Sequence, residues 1–141
     1  MNIALIFPGQ GSQYIGMGQD FFNGSSESKS TFENLDEIMG KKLSELIFNG
    51  SEEELAITTN SQPAIMSVSI AILREINVRG LLKNKNIHSV AGHSLGEYSA
   101  LVANDSISFE DSVKLLIIRS EAMQRSMPIG TGGMAAVLGQ S

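Results

Sequence analysis

Asn2-Ile3-Ala4-Leu5-Ile6-Phe7 is apolar without alternation, the pattern of a short strand covered on both faces in a parallel sheet. Pro8-Gly9-Gln10-Gly11-Ser12-Gln13 is then its outgoing loop. From Ser25 to Ser30 the chain is polar and serine-rich, which predicts a surface loop or the fraying end of a helix. Phe32, Leu35, Ile38 and Met39 recur at helical spacing up to Gly40, and Leu43, Leu46 and Ile47 predict a short continuation. Ser51 followed by Glu54 is a capping box that opens another turn of helix.

Pro63 suits the first turn of a stronger helix, because its missing N–H is one that no helical carbonyl would have used there. Ile65, Met66, Val68, Ile72, Leu73 and Ile76 give that helix a broad apolar surface, so it is expected to be largely buried. A polar connector at Lys83, Asn84 and Lys85 leads to a second strand, Ile87 to Ala91. Glu97 to Ala103 reads as helix, Asn104-Asp105 as a break, and Ser108 with Asp111 as the cap of a helix running through Val113, Leu116, Ile117 and Met123. Met127-Pro128 ends it, Gly130-Thr131-Gly132-Gly133 forms a flexible hinge, and Met134 to Leu138 is predicted as a last apolar strand. Strands separated by helices in this order imply an α/β fold, a mostly parallel sheet covered by helices with right-handed crossovers. Ligands in such sheets gather at the carboxyl ends of the strands. The Gln10 loop and the segment after Ala91 both leave strands there, so they can face one crevice.

A chain of 141 residues, 42% apolar, can form one domain with a sizeable core. Its formal charge of −5 argues against a nucleic-acid partner, which needs a positive field, and an anionic substrate would require a local cation. The absence of cysteine excludes disulfides, thiolate metal sites and a cysteine nucleophile, and fits a reducing cytoplasm. No metal is expected. The run Ile3 to Phe7 is short and lacks a basic flank, so it is read as neither signal peptide nor membrane span, and a soluble intracellular protein is expected.

Gly92-His93-Ser94-Leu95-Gly96, between a predicted strand and a predicted helix, is the G-x-S-x-G pattern that builds an exposed, activated serine. Flanking glycines allow the tight turn, and N–H groups at the helix start point toward the reacting oxygen. Ser94 is the candidate nucleophile for acyl transfer, with the N–H of Leu95 as one donor to the tetrahedral oxyanion. The Gln10 loop is the natural source of a second donor. A dinucleotide cradle is disfavoured, since Tyr14 stands where the fingerprint after Gly9 and Gly11 needs a third glycine. Arg119 follows Leu115-Leu116-Ile117-Ile118 on the last helix, where it is either a surface cation with a snorkelling stem or a bidentate grip on an acyl carboxylate. No credible base accompanies the serine. His93 adjoins Ser94 on a turn where neighbouring side chains diverge, and His88 lies six residues earlier on a strand rising about 3.3 Å per residue.

Taken together, Phe7-Pro8-Gly9-Gln10-Gly11-Ser12-Gln13, Gln62-Pro63-Ala64, Gly92-His93-Ser94-Leu95-Gly96-Glu97 and the stretch Arg119 to Gln124 resemble the malonyl-CoA:acyl-carrier-protein transacylase family, which includes acyltransferase domains of fatty-acid and polyketide synthases. The resemblance implies a hydrolase-like subdomain interrupted by a small ferredoxin-like one, with residues 1–128 as part of the first and 129–141 as the start of the second. It implies that Ser94 accepts malonyl from malonyl-CoA and passes it to the phosphopantetheine thiol of acyl carrier protein in fatty-acid biosynthesis, without a permanently bound cofactor. By the same resemblance Gln10 and Leu95 supply oxyanion N–H groups, and Arg119 grips the malonyl carboxylate. Members of the family are longer, and their catalytic histidine follows the ferredoxin-like subdomain. The chain is therefore expected to be an amino-terminal piece that turns over poorly alone. The competing expectations are an esterase or thioesterase of the α/β-hydrolase type, and a non-catalytic binding module.

Overall fold

The structure, a computed structural model, describes residues 1–128, 130–132 and 139. Strand β1 (Asn2–Phe7) pairs in parallel with β2 (Asn86–Gly92), Asn2 opposite Asn86 and Phe7 opposite Gly92, with a register shift between Ile3 and Ala4. Between the strands run α1 (Gln19–Gly24), α2 (Ser26–Met39), α3 (Leu43–Asn49), α4 (Glu52–Ala56) and α5 (Thr58–Val78). After β2 come α6 (Gly96–Ala103) and α7 (Phe109–Ser126). The α/β order expected from the pattern is present. The strand expected at Met134 to Leu138, and Gly133 of the hinge, lie outside the described residues.

The core sits among the helices. Phe32 and Leu35 of α2, Ile47 of α3, Met66 and Ile70 of α5, and Val113 and Leu116 of α7 are buried in one cluster. Phe22, Phe32 and Phe48 meet at centroid distances of 5.1 to 5.8 Å. As expected, α5 is largely buried, including Ala64, Ile65, Met66 and Val68.

Three expectations need correction. Neither strand is covered on both faces: Ile6 is 79% exposed and Ile87 41%, because only two strands are present among the described residues and the helices do not enclose them. Of the two readings of Ser25 to Ser30, the loop is overturned and the helix end is present: Ser25 caps α2 by accepting from the Ser28 N–H, and the helix runs from Ser26. Its polar residues tolerate burial because Ser28 Oγ donates to the Ala71 carbonyl at 3.0 Å and Thr31 Oγ1 accepts from Arg74 Nη1 at 2.8 Å. Pro63 does not begin α5, which starts at Thr58, so the proline lies inside the helix and leaves the Thr59 carbonyl without an i+4 N–H. Helix α1, opened by Gly18 at φ 77°, had no counterpart in the pattern.

The caps follow the sequence closely. Ser51 Oγ accepts from the Glu54 N–H, and Ser108 Oγ accepts from the Asp111 N–H at 3.0 Å while donating to Asp111 Oδ2 at 2.8 Å. Ser108→Ala is expected to destabilise the chain by about 1 kcal/mol, seen as a lower urea midpoint at unchanged slope. Asp105, at φ 60°, makes the break between α6 and α7. No described helix is long and apolar enough to cross a membrane.

Candidate active site

Parallel pairing sets the ends of β1 and β2 side by side, and the two outgoing loops touch. The His93 N–H donates to the Phe7 carbonyl at 3.1 Å. A Cβ at Gly9 would stand 2.4 Å from His93 Nδ1 and 2.8 Å from its carbonyl oxygen, so only glycine admits this contact. The two loops thus leave the same end of the sheet, as expected.

His93, Ser94 and Leu95 form the whole passage from β2 to α6. Ser94 takes the left-handed conformation, φ 56°, which costs a non-glycine residue about 1 kcal/mol or more. It is held there by the turn: the Gly96 N–H donates to His93 O at 2.9 Å and the Glu97 N–H to Ser94 O at 3.1 Å. Beneath it the backbone is too close for side chains. A Cβ at Gly92 would lie 1.9 Å from the Gly96 carbonyl, and one at Gly96 would lie 2.5 Å from the Phe7 oxygen. The Leu95 side chain is fully buried and pins the turn to the core, while Ser94 stays exposed. Among the described residues, the N–H groups of Leu95 and Gln10 have no hydrogen-bond partner. The first belongs to the residue after Ser94 and the second to the loop that leaves β1.

Arg119 is not a snorkelling surface cation. Half-buried on α7, it donates from Nη2 to Ser94 Oγ at 2.9 Å and from Nη1 to Gln62 Oε1 at 2.6 Å, with its guanidinium 6.0 Å from the Tyr98 ring centroid. Gln62 had no role assigned from the residues themselves. It is fully buried on α5, and its Nε2 donates to Met123 Sδ at 3.3 Å and makes a long contact of 3.5 Å with Gln10 Oε1. Gln10 Nε2 in turn donates to Thr58 Oγ1 at 3.3 Å. The signal that could have found Gln62 is a long amide opening an otherwise apolar, buried helical run, where every polar atom needs a partner.

The histidines are elsewhere in chemical terms. His93 and His88 are both exposed, and neither hydrogen-bonds Ser94. Arg119 cannot serve instead, since a guanidinium offers only donors. Among the described residues, then, Ser94 has a nucleophile's turn, two free N–H donors and a cation, but no base. No three His, Cys, Asp or Glu side chains among them come together to hold a metal ion. Beside the site lies a cavity of about 580 Å³ lined by Gln10, Ile57, Thr58, Met123, Gln124 and Met127. A second, apolar groove of about 430 Å³ runs between β1 and α5 past Leu5, Phe21 and Ile72, away from Ser94, Gln62 and Arg119.

A family model described as the acyl transferase domain matches residues 4–140. The malonyl CoA-acyl carrier protein transacylase of Bacillus subtilis is 47% identical over 137 residues, 97% of this chain and 42% of that protein. The protein of the same name from Staphylococcus aureus is 43% identical over 136 residues, 96% of this chain and 42% of that one. Among solved structures, the acyl-carrier-protein-S-malonyltransferase of Bartonella henselae superimposes with a TM-score of 0.86 and 44% identity, covering 92% of this chain and 41% of its own. A chain of the holo complex PlMCAT:AntF, a type II PKS acyl-carrier protein with its malonyl-transacylase, gives 0.84 and 39%, covering 91% and 40%. The chain spans about 42% of the length of the curated relatives it matches.

Proposed function

The chain belongs to the acyl transferase domain family, and from that premise we propose that it carries the nucleophile and acyl-recognition half of a malonyl-CoA:acyl-carrier-protein transacylase. Ser94 Oγ attacks the malonyl thioester carbonyl, and the hydroxyl proton passes to a base. The carbonyl electrons collect on an oxyanion that the Gln10 and Leu95 N–H groups receive. Collapse breaks the C–S bond, the coenzyme A sulfur leaves as thiol with the proton, and malonyl remains as an ester on Ser94. The phosphopantetheine thiol of acyl carrier protein reverses these steps. Malonyl-CoA enters as substrate and coenzyme A leaves as product, and no resident cofactor takes part.

The observation that carries this reading is the 2.9 Å contact between Arg119 Nη2 and Ser94 Oγ. A simple esterase has no use for a half-buried cation within reach of its nucleophile, since an uncharged acyl group would leave that cation unpaired. An acyl group ending in a carboxylate would pair it. For the base we look to a histidine other than His88 and His93, as the family resemblance implies. The same resemblance suggests that residues from 129 onward enter a ferredoxin-like subdomain, and that the enzyme serves fatty-acid synthesis in the cytoplasm.

Incubation with malonyl-CoA followed by proteolysis and mass spectrometry tests the proposal. A malonyl ester is expected on the peptide bearing Ser94, formed slowly and without efficient steady-state transfer. Loading from acetyl-CoA as fast as from malonyl-CoA would instead favour the esterase, and carrier-protein binding with no ester formed would favour a binding module.

A further inference from the structure

Gln62 is fully buried, so water cannot complete its hydrogen bonds and its amide must be held in one orientation by protein groups. A guanidinium has only donors, so the Gln62 oxygen must face Arg119. Its nitrogen is then directed at Met123 Sδ and Gln10 Oε1, which turns the Gln10 nitrogen toward Thr58 Oγ1. Arg119, Gln62, Gln10 and Thr58 thus form a chain of donors and acceptors with a single polarity, set by the one member that cannot accept. It links α7, α5 and the loop after β1 through a buried side chain. Arg119 reaches Ser94 with Nη2 while Nη1 stays on Gln62, so the amide fixes where the free edge of the guanidinium points.

We propose that Gln62 is a positioning residue that holds Arg119 in register with Ser94 and so sets the preference for acyl groups bearing a carboxylate. The proposal rests on the transacylase function given above. Gln62 touches no reacting atom; it acts through Arg119, with the Gln10 loop as a second, weaker attachment. Without it the cation keeps its charge but loses its aim.

Gln62→Met keeps the side chain's length and removes the amide's contacts with Arg119, Met123 and Gln10. Single-turnover malonyl loading of Ser94 is expected to fall about 10- to 100-fold, the range for losing one hydrogen bond to a charged group. In an Arg119→Ala background the same change should cost less than about threefold, because partners in one network are not additive. Gln62→Glu is the second variant, and keeps an acceptor for Arg119. Its carboxylate competes with the acyl carboxylate, so malonyl loading should fall while acetyl loading stays within about threefold of the parent. The third readout needs no turnover: the guanidinium proton–nitrogen resonances of Arg119, identified by their loss in Arg119→Lys, should shift and broaden in Gln62→Met. Undiminished malonyl loading in Gln62→Met, a loss fully additive with Arg119→Ala, or unmoved Arg119 resonances would each overturn the proposal. If the parent forms no ester at Ser94, the transacylase function falls, and the resonances still decide whether Gln62 positions Arg119.

Discussion

Arg119→Ala is expected to slow malonyl loading of Ser94 by about 100-fold while leaving acetyl loading unchanged or somewhat faster. A carboxylate gripped by a guanidinium makes paired, charge-assisted hydrogen bonds worth about 3 kcal/mol together, the lower end of the range because Arg119 is only half-buried. Alanine removes all of that for malonyl and nothing for acetyl. A second effect works in the opposite direction. Arg119 Nη2 donates to Ser94 Oγ, holding a lone pair of the oxygen that must attack. An acyl carboxylate that draws the guanidinium to itself frees that lone pair, whereas an acetyl group leaves it engaged. Removing the cation releases Ser94 for both, which is why acetyl loading is not expected to fall. Arg119→Lys should lie between, since it keeps the charge but loses the planar fork. Rates from malonyl-CoA and acetyl-CoA under single-turnover conditions give the ratio directly. An equal fall for the two substrates would assign Arg119 to holding the turn together and not to reading the acyl group.

How much of this could be read from the chain divides along the range of the interactions. Ser51, Ser108 and Asp105 act within three or four residues of themselves, and the caps and the break stand where the sequence puts them. The Ser94 turn was legible for the same reason, because the clashes that demand glycine at 92 and 96 arise where the chain folds back beside its own turn and the neighbouring strand. Burial of polar residues was not legible. Ser28 looks like loop chemistry until α5 brings the Ala71 carbonyl against it. Gln62 likewise gains its meaning from Arg119, 57 residues away, and from Gln10, 52 residues away. The apolar run of β1 misled in the reverse direction. Its composition records a capacity to be covered, and only the arrangement of other elements decides whether Ile6 is.

Gly92→Ala is expected to cost the chain 3 kcal/mol or more, about the upper range for a single substitution, and to abolish detectable loading of Ser94. The added methyl would sit 1.9 Å from the carbonyl carbon and oxygen of Gly96 and 2.3 Å from the Glu97 nitrogen. These are backbone atoms, so no rotamer change relieves the contact. The start of α6 would have to back away from β2, yet Gly96 is wedged against the Phe7 and Pro8 carbonyls and Leu95 is fully buried, so the movement disrupts the core and the strand ends together. Ser94 rides on the three-residue link between these elements, and a displacement of about 1 Å there can cost a hundredfold in rate. Gly24→Ala is the control. It adds the same methyl at the end of α1 with nothing within 4 Å, and should leave both stability and loading near the parent's. Urea unfolding beside the mass-spectrometric loading assay separates the two consequences. A Gly92→Ala chain that unfolds within about 1 kcal/mol of the parent and still carries malonyl on Ser94 would mean that the turn tolerates a Cβ, and that its tightness is not what exposes the serine.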